Sequence, residues 1–125
     1  MSVFNNIKGM FSKEKSPPDF SDIDTKEKAQ ALVKEGELEE MLVFPAVFGG
    51  QPVPHNIIYV PVGVVHMQAE LNNTIVRFMR EGHLNQMSVK PQYKNKSVVP
   101  SKIVMEAYHS DPDKTNTFTP TIDIW

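Results

Sequence analysis

The chain has 125 residues, no cysteine, and 13 basic against 15 acidic side chains, which gives a net charge of −2. This length suits one domain with one core, and an apolar fraction of 40% with 22% charged residues excludes a wholly disordered or membrane-embedded chain. Without cysteine there is no disulfide and no thiolate catalysis. Because the first residues lack the long apolar run of a secretory signal, we expect a cytoplasmic protein.

Residues 1–18 are predicted to form an appendage. Pro17 and Pro18 make a stiff break before the remaining chain. Apolar side chains recur at helical spacing in front of that break, at Val3, Phe4, Ile7, Met10 and Phe11. Since so short a helix is marginal in water, we expect the stripe to bind a partner through Phe4, Ile7 and Phe11. The alternatives are docking on the chain's own core, weak peripheral membrane contact through residues 1–15, and disorder.

A first helix and a first strand follow the appendage. Asp24 and Glu27 resemble a capping box and Gly36 suits a C-terminal cap, so the pattern predicts a helix over 25–35. A strand-like stretch comes next, and we expect its buried part to run from Met41 until Pro45 stops the ladder.

A charge-free run of 29 residues, 41–69, indicates that this part of the chain is interior. Its prolines and polar residues exclude a membrane span. The apolar succession over 57–62 is typical of a strand buried on both faces. We therefore expect two buried strands joined by a Gly/Pro loop, 45–56, that stays near the core.

The second half of the chain reads as a helix followed by strands. Met67, Leu71, Ile75 and Phe78 share one helical face after Gly63, and Gly82 is the expected C-terminal cap. Alternation at 87–93 and an apolar stretch at 103–108 predict a hairpin. The alternating residues 118–125 predict a last edge strand.

These elements predict one α+β domain over 19–125, with a mixed four- to five-stranded sheet packed by two helices. The N-terminal amphipathic appendage, 1–18, lies outside that domain. We expect a single contiguous core formed by eight apolar residues: Ile58, Val60, Leu71, Ile75, Phe78, Val89, Ile103 and Met105.

The sequence contains only weak matches to motifs for metal, calcium or phosphate binding. His66 and Glu70 share a helical face, but a zincin helix needs a second histidine there, so we predict no metal and no cofactor. The string from Asp111 has the first carboxylates of a calcium loop and lacks its glycine and final glutamate. Gly49 and Gly50 follow a strand as in phosphate-binding loops, but no helix start comes next.

The charge distribution is uneven. Residues 19–40 carry eight acids against three lysines, and residues 77–102 carry six bases against one acid. The basic residues are too sparse for a clear phosphate-binding surface, and a solvated helix face with a lysine-protected strand edge explains them without nucleic acid.

Two functional hypotheses remain. The first is a small, non-catalytic binding or adaptor module that acts through a protein partner. The second is a small enzyme or small-ligand binder that uses the 45–56 loop and the start of the second helix. Its candidate ligand-binding residues are Gly49, Gly50, His55, Asn56, His66 and Glu70. A concave pocket with convergent polar groups would favour the second hypothesis.

Overall fold

The computed structural model describes residues 18–125, and the first helix, α1 (Lys26–Lys34), begins soon after its start. Thr25 caps it, because the Thr25 hydroxyl accepts the Lys28 N–H at 3.2 Å. The cap is therefore one residue later than the predicted Asp24, whose carboxylate instead pairs with Lys28 Nζ at 2.8 Å. This hydrogen bond with Lys28 lowers the pKa of Asp24.

The end of α1 follows the predicted glycine pattern. Gly36 has φ +80°, and the Glu37 N–H donates to the Leu32 carbonyl at 2.9 Å. These features form a Schellman motif, which satisfies carbonyls at the helix terminus. The first strand begins directly after this turn.

The charge-free run supplies β2 and the end of β1 in a β-hairpin that packs against core residues on both faces. Strand β1 (Leu38–Leu42) pairs antiparallel with β2 (Ile57–Pro61). On one face, Ile58 and Val60 join the main core; on the other, Leu38 and Tyr59 join a second cluster beneath α1. The buried β2 confirms the prediction, whereas β1 lies earlier than the expected 41–44.

Helix α2 (Val64–Arg80) covers the hairpin and ends before Gly82, whose φ is +82°. Its buried positions include Gln68 and Asn72, while Met67 is 47% exposed. The predicted apolar stripe was therefore wrong at Met67. The helix is rotated so that the amide side chains of Gln68 and Asn72 face inward. A helical wheel based on hydrophobicity would assign both side chains to solvent.

A second antiparallel sheet completes the fold. The predicted hairpin is confirmed as β3 (Gln86–Gln92) with β4 (Lys102–Tyr108). The other side of β4 pairs with β5 (Thr117–Phe118) and β6 (Thr121–Asp123), so the expected last strand is interrupted at Pro120. Strands of residues 18–125 thus form two antiparallel sheets in place of the single mixed sheet that we expected.

The main core lies between α2 and the two sheets. All eight predicted core residues belong to it: five are buried, and Leu71, Phe78 and Val89 pack against it partly buried. The second cluster was not predicted. It contains Ala29, Leu38, Tyr59 and Val99, and Phe20, Ile23 and Trp125 pack against it.

The C-terminal residue takes part in this second cluster. Trp125 donates its indole N–H to the Val99 carbonyl at 3.0 Å and lies edge-on to Phe20, with ring centroids 5.9 Å apart. Both ends of the described chain are therefore packed on one small α+β domain. Within residues 18–125 no helix is long and apolar enough to cross a membrane.

Candidate functional site

The predicted ligand loop, 45–56, is held by the side chain of Asn56. The Asn56 Oδ1 accepts the Phe44 N–H at 2.8 Å, while its Nδ2 donates to the carbonyls of Phe44 and Gln51, both at 3.0 Å. Asn56 is buried. Its amide thus continues the β1–β2 hydrogen bonding by one step and closes the loop, so its polar atoms are occupied by the chain itself.

The two loop glycines also have structural roles. Gly49 has φ +101°, a left-handed conformation that favours glycine. Gly50 donates its N–H to the Pro45 carbonyl at 3.0 Å, and a Cβ added there would lie 1.7 Å from the Phe44 oxygen. The pair therefore serves the tight path of the loop, which stays beside the core through Phe48, as predicted.

His55 is the exposed titratable side chain of this loop. It lines an open cleft of about 510 Å³ together with Phe44, Gly50, Gln51, Val53 and Asn56. The walls are mostly apolar or already hydrogen-bonded. No second titratable side chain stands beside His55 among these lining residues.

His66 and Glu70 lie apart from that cleft, on the exposed face of α2. His66 Nε2 is 3.1 Å from Glu70 Oε2, and the two side chains are 78% and 69% exposed. They form the i, i+4 pair that the sequence predicts. The structure therefore does not bring the six predicted ligand-binding residues into one pocket, and their role in ligand binding stays a prediction.

The part of the chain that the structure describes contains no group of three or more His, Asp or Glu residues that could hold a metal ion. The predicted partner-binding residues Phe4, Ile7 and Phe11 lie outside the described range. They stay a prediction.

The outer edge of β1 is a feature that our sequence interpretation missed. The Val43 N–H donates to the Asn56 carbonyl at 2.9 Å, in the same register that pairs Leu42 with Ile57. Hydrogen-bonded and non-hydrogen-bonded pairs alternate in an antiparallel ladder. The main-chain groups of Leu38, Glu40 and Leu42 therefore point away from β2.

A side-chain contact supports this orientation. Gln68 Nε2 donates to the Leu42 carbonyl at 3.4 Å, from the side opposite β2. Within residues 18–125 no backbone group pairs with the outward N–H or C=O of Glu40. Leu38 is only 2% exposed and the Leu42 carbonyl is already an acceptor, so the accessible part of this edge is centred on the exposed Glu40, whose N–H and C=O both point outward as an added strand requires.

The outer edge of β2 is a poorer template. Pro61 has no N–H, and the Ile57 N–H already donates to the Pro54 carbonyl. Tyr59 is then the one residue of β2 that can present an outward donor. Tyr59 is buried, whereas Glu40 of β1 is exposed and presents both its N–H and its C=O outward, so β1 is the more accessible of the two edges of this hairpin.

Two open clefts adjoin the β1 edge, and Val33 and Glu40 line both of them. The first is otherwise lined by α1 residues, and the second by Gly36, Leu38, Glu39 and the exposed Val62. Val62 is 61% exposed, so an apolar side chain is available beside the free backbone groups. The feature of the sequence that could have indicated this edge is the group of four glutamates over 35–40, which lie just before and within β1.

Comparison with known proteins gives no relative on which to base a function. No protein-family model, curated protein or solved structure matches this chain.

Proposed function

We propose that the protein is a small, non-catalytic binding module that takes up an extended segment of a protein partner on the outer edge of β1. The observation that supports this proposal best is the outward N–H and C=O of the exposed Glu40, together with the outward N–H of the half-buried Leu42, which lack a strand partner within residues 18–125. A two-stranded sheet leaves such groups open unless something covers them.

The surroundings of β1 suit strand addition. Both faces of the hairpin are buried in core clusters, so β1 is held rigidly and its edge is preorganised. Main-chain hydrogen bonds would supply affinity, and the two clefts that share Glu40 would receive side chains of the added segment. The stripe at Phe4, Ile7 and Phe11 stays a second proposed contact with a partner.

The small-ligand hypothesis has less support. Asn56 is saturated by main-chain hydrogen bonds, and His66 pairs with Glu70 on an exposed helix face away from the loop cleft. A binding pocket concentrates its polar groups on one concavity. We therefore place the binding function at the β1 edge.

The test uses proline at position 40. Glu40→Pro removes an N–H that points outward, so the β1–β2 ladder keeps its bonds while strand addition is blocked. Glu40→Ala is the matched control, because it removes the same side chain and keeps the N–H. Random-sequence peptides displayed on phage and selected on the full chain should lose binding to Glu40→Pro and keep it with Glu40→Ala.

Fluorescence of Trp125, the one tryptophan in the chain, verifies that each variant is folded. Selected peptides that bind Glu40→Pro as well as the unchanged protein would refute the proposal. If Glu40→Pro fails to fold, hydrogen exchange on the unchanged protein decides the question, since a bound strand must slow exchange of the Glu40 amide.

A further inference from the structure

The β1 edge is surrounded by unneutralised acids. Glu27 and Glu40 line one flanking cleft, Glu39 lines the other, and Glu35 and Glu37 stand in the turn that leads into β1. Among residues 18–125 none of these five glutamates forms an ion pair. Lys34 is the one base that lines these two clefts.

The glutamates stand on both faces of the strand. Glu40 points to the α1 side, where it shares a cleft with Glu27. Glu39 points to the opposite side, where its Oε2 accepts the Gly63 N–H at 3.1 Å. A strand added at this edge would therefore have an acidic neighbour whichever way its side chains alternate.

A second copy of this chain fits the edge poorly. Pairing two β1 edges would bring Glu39 and Glu40 of each copy against those of the other, and like charges directly opposite each other destabilise a sheet. Acidic residues at a strand edge thus oppose self-association. They leave the edge open to a partner of opposite charge.

We infer that the segment bound at the β1 edge is a basic, extended stretch of a different protein, rich in Lys or Arg, with a small apolar side chain that contacts Val62. This inference rests on the proposed function and adds the chemistry of the partner. The open backbone groups provide the pairing, and the uncompensated glutamates select the charge.

The experiment compares two short peptides on the full-length protein. One alternates lysine with threonine, and the other alternates glutamate with threonine. The lysine peptide should slow hydrogen exchange of the Glu40 amide, and its binding should weaken as salt rises, whereas the glutamate peptide should leave the Glu40 amide unprotected.

Charge removal tests the same inference from the side of the protein. Replacing Glu27, Glu37 and Glu40 by glutamine keeps every main-chain group and should weaken binding of the lysine peptide about tenfold, since each exposed pair contributes little. The matched control neutralises three acids away from β1, Glu81, Asp111 and Asp113. It changes net charge equally and should alter the affinity much less.

The outcomes separate the two proposals. Equal protection of the Glu40 amide by both peptides, or equal losses in the two triple variants, would overturn the charge inference and leave strand addition standing. No protection of Glu40 by either peptide, together with phage-selected peptides that ignore Glu40→Pro, would overturn both. Protection by the lysine peptide alone, lost with salt, supports both.

Discussion

Removing the side-chain amide of Asn56 should be among the most damaging polar substitutions in the protein. Asn56→Ala deletes three hydrogen bonds of 2.8 to 3.0 Å and leaves the Phe44 N–H without its acceptor. At about 1 kcal/mol of net stability for each bond, the free energy of unfolding should fall by about 3 kcal/mol. For a domain of this size, the melting midpoint should drop by roughly 12 °C.

Urea unfolding followed by Trp125 fluorescence measures this loss, and the slope m should stay unchanged because the folded state remains compact. Gln51→Ala is the control: Gln51 contributes its main-chain oxygen to the network, so removing its exposed side chain should change stability by less than about 0.5 kcal/mol. A loss below about 1 kcal/mol in Asn56→Ala would show that the loop does not depend on this amide.

Two further predictions concern the ends and the glycines of the chain. A chain that begins at Asp19 should melt within about 5 °C of the full-length protein, because Phe20 and its cluster are retained; a larger drop in a thermal melt would show that residues 1–18 belong to the core. Gly50→Ala should destabilise more than Gly36→Ala, since its Cβ would collide with the Phe44 oxygen, whereas alanine at position 36 meets no atom within 4 Å and bears only the strain of a φ of +80°. Equal thermal midpoints for the two glycine variants would contradict this packing.

Local patterns in the sequence predicted the helices and the main core well. Caps at Gly36 and Gly82 and the apolar run at 57–62 depend on neighbours in the chain, so they can be interpreted without tertiary information. The rotation of α2 was missed because Gln68 and Asn72 are buried polar residues. Gln68 donates to the Leu42 carbonyl of β1, a tertiary contact that no helical periodicity encodes.

Strand pairing and the assembly of the candidate site were harder to predict from the sequence than the helices were. Hairpins pair consecutive strands, but whether two hairpins join into one sheet depends on tertiary packing, so the division into two sheets could not be derived from local alternation. Asn56 was predicted as a ligand contact because polar loop residues often bind ligands. Its side chain instead replaces a backbone partner of Phe44, a role that depends on where the two segments meet.

Hydrogen exchange of single amides in β1 of the free, full-length protein measures whether the outer edge of this strand is open. The ladder register places the N–H groups of Glu39 and Met41 on β2, and the N–H of Glu40 toward the outside. An open β1 edge requires slow exchange at Glu39 and Met41 and fast exchange at Glu40, with Glu40 becoming slow when a peptide binds. Slow exchange at Glu40 in the free protein would show that its edge is already covered, and would contradict the proposal that β1 is an open docking strand.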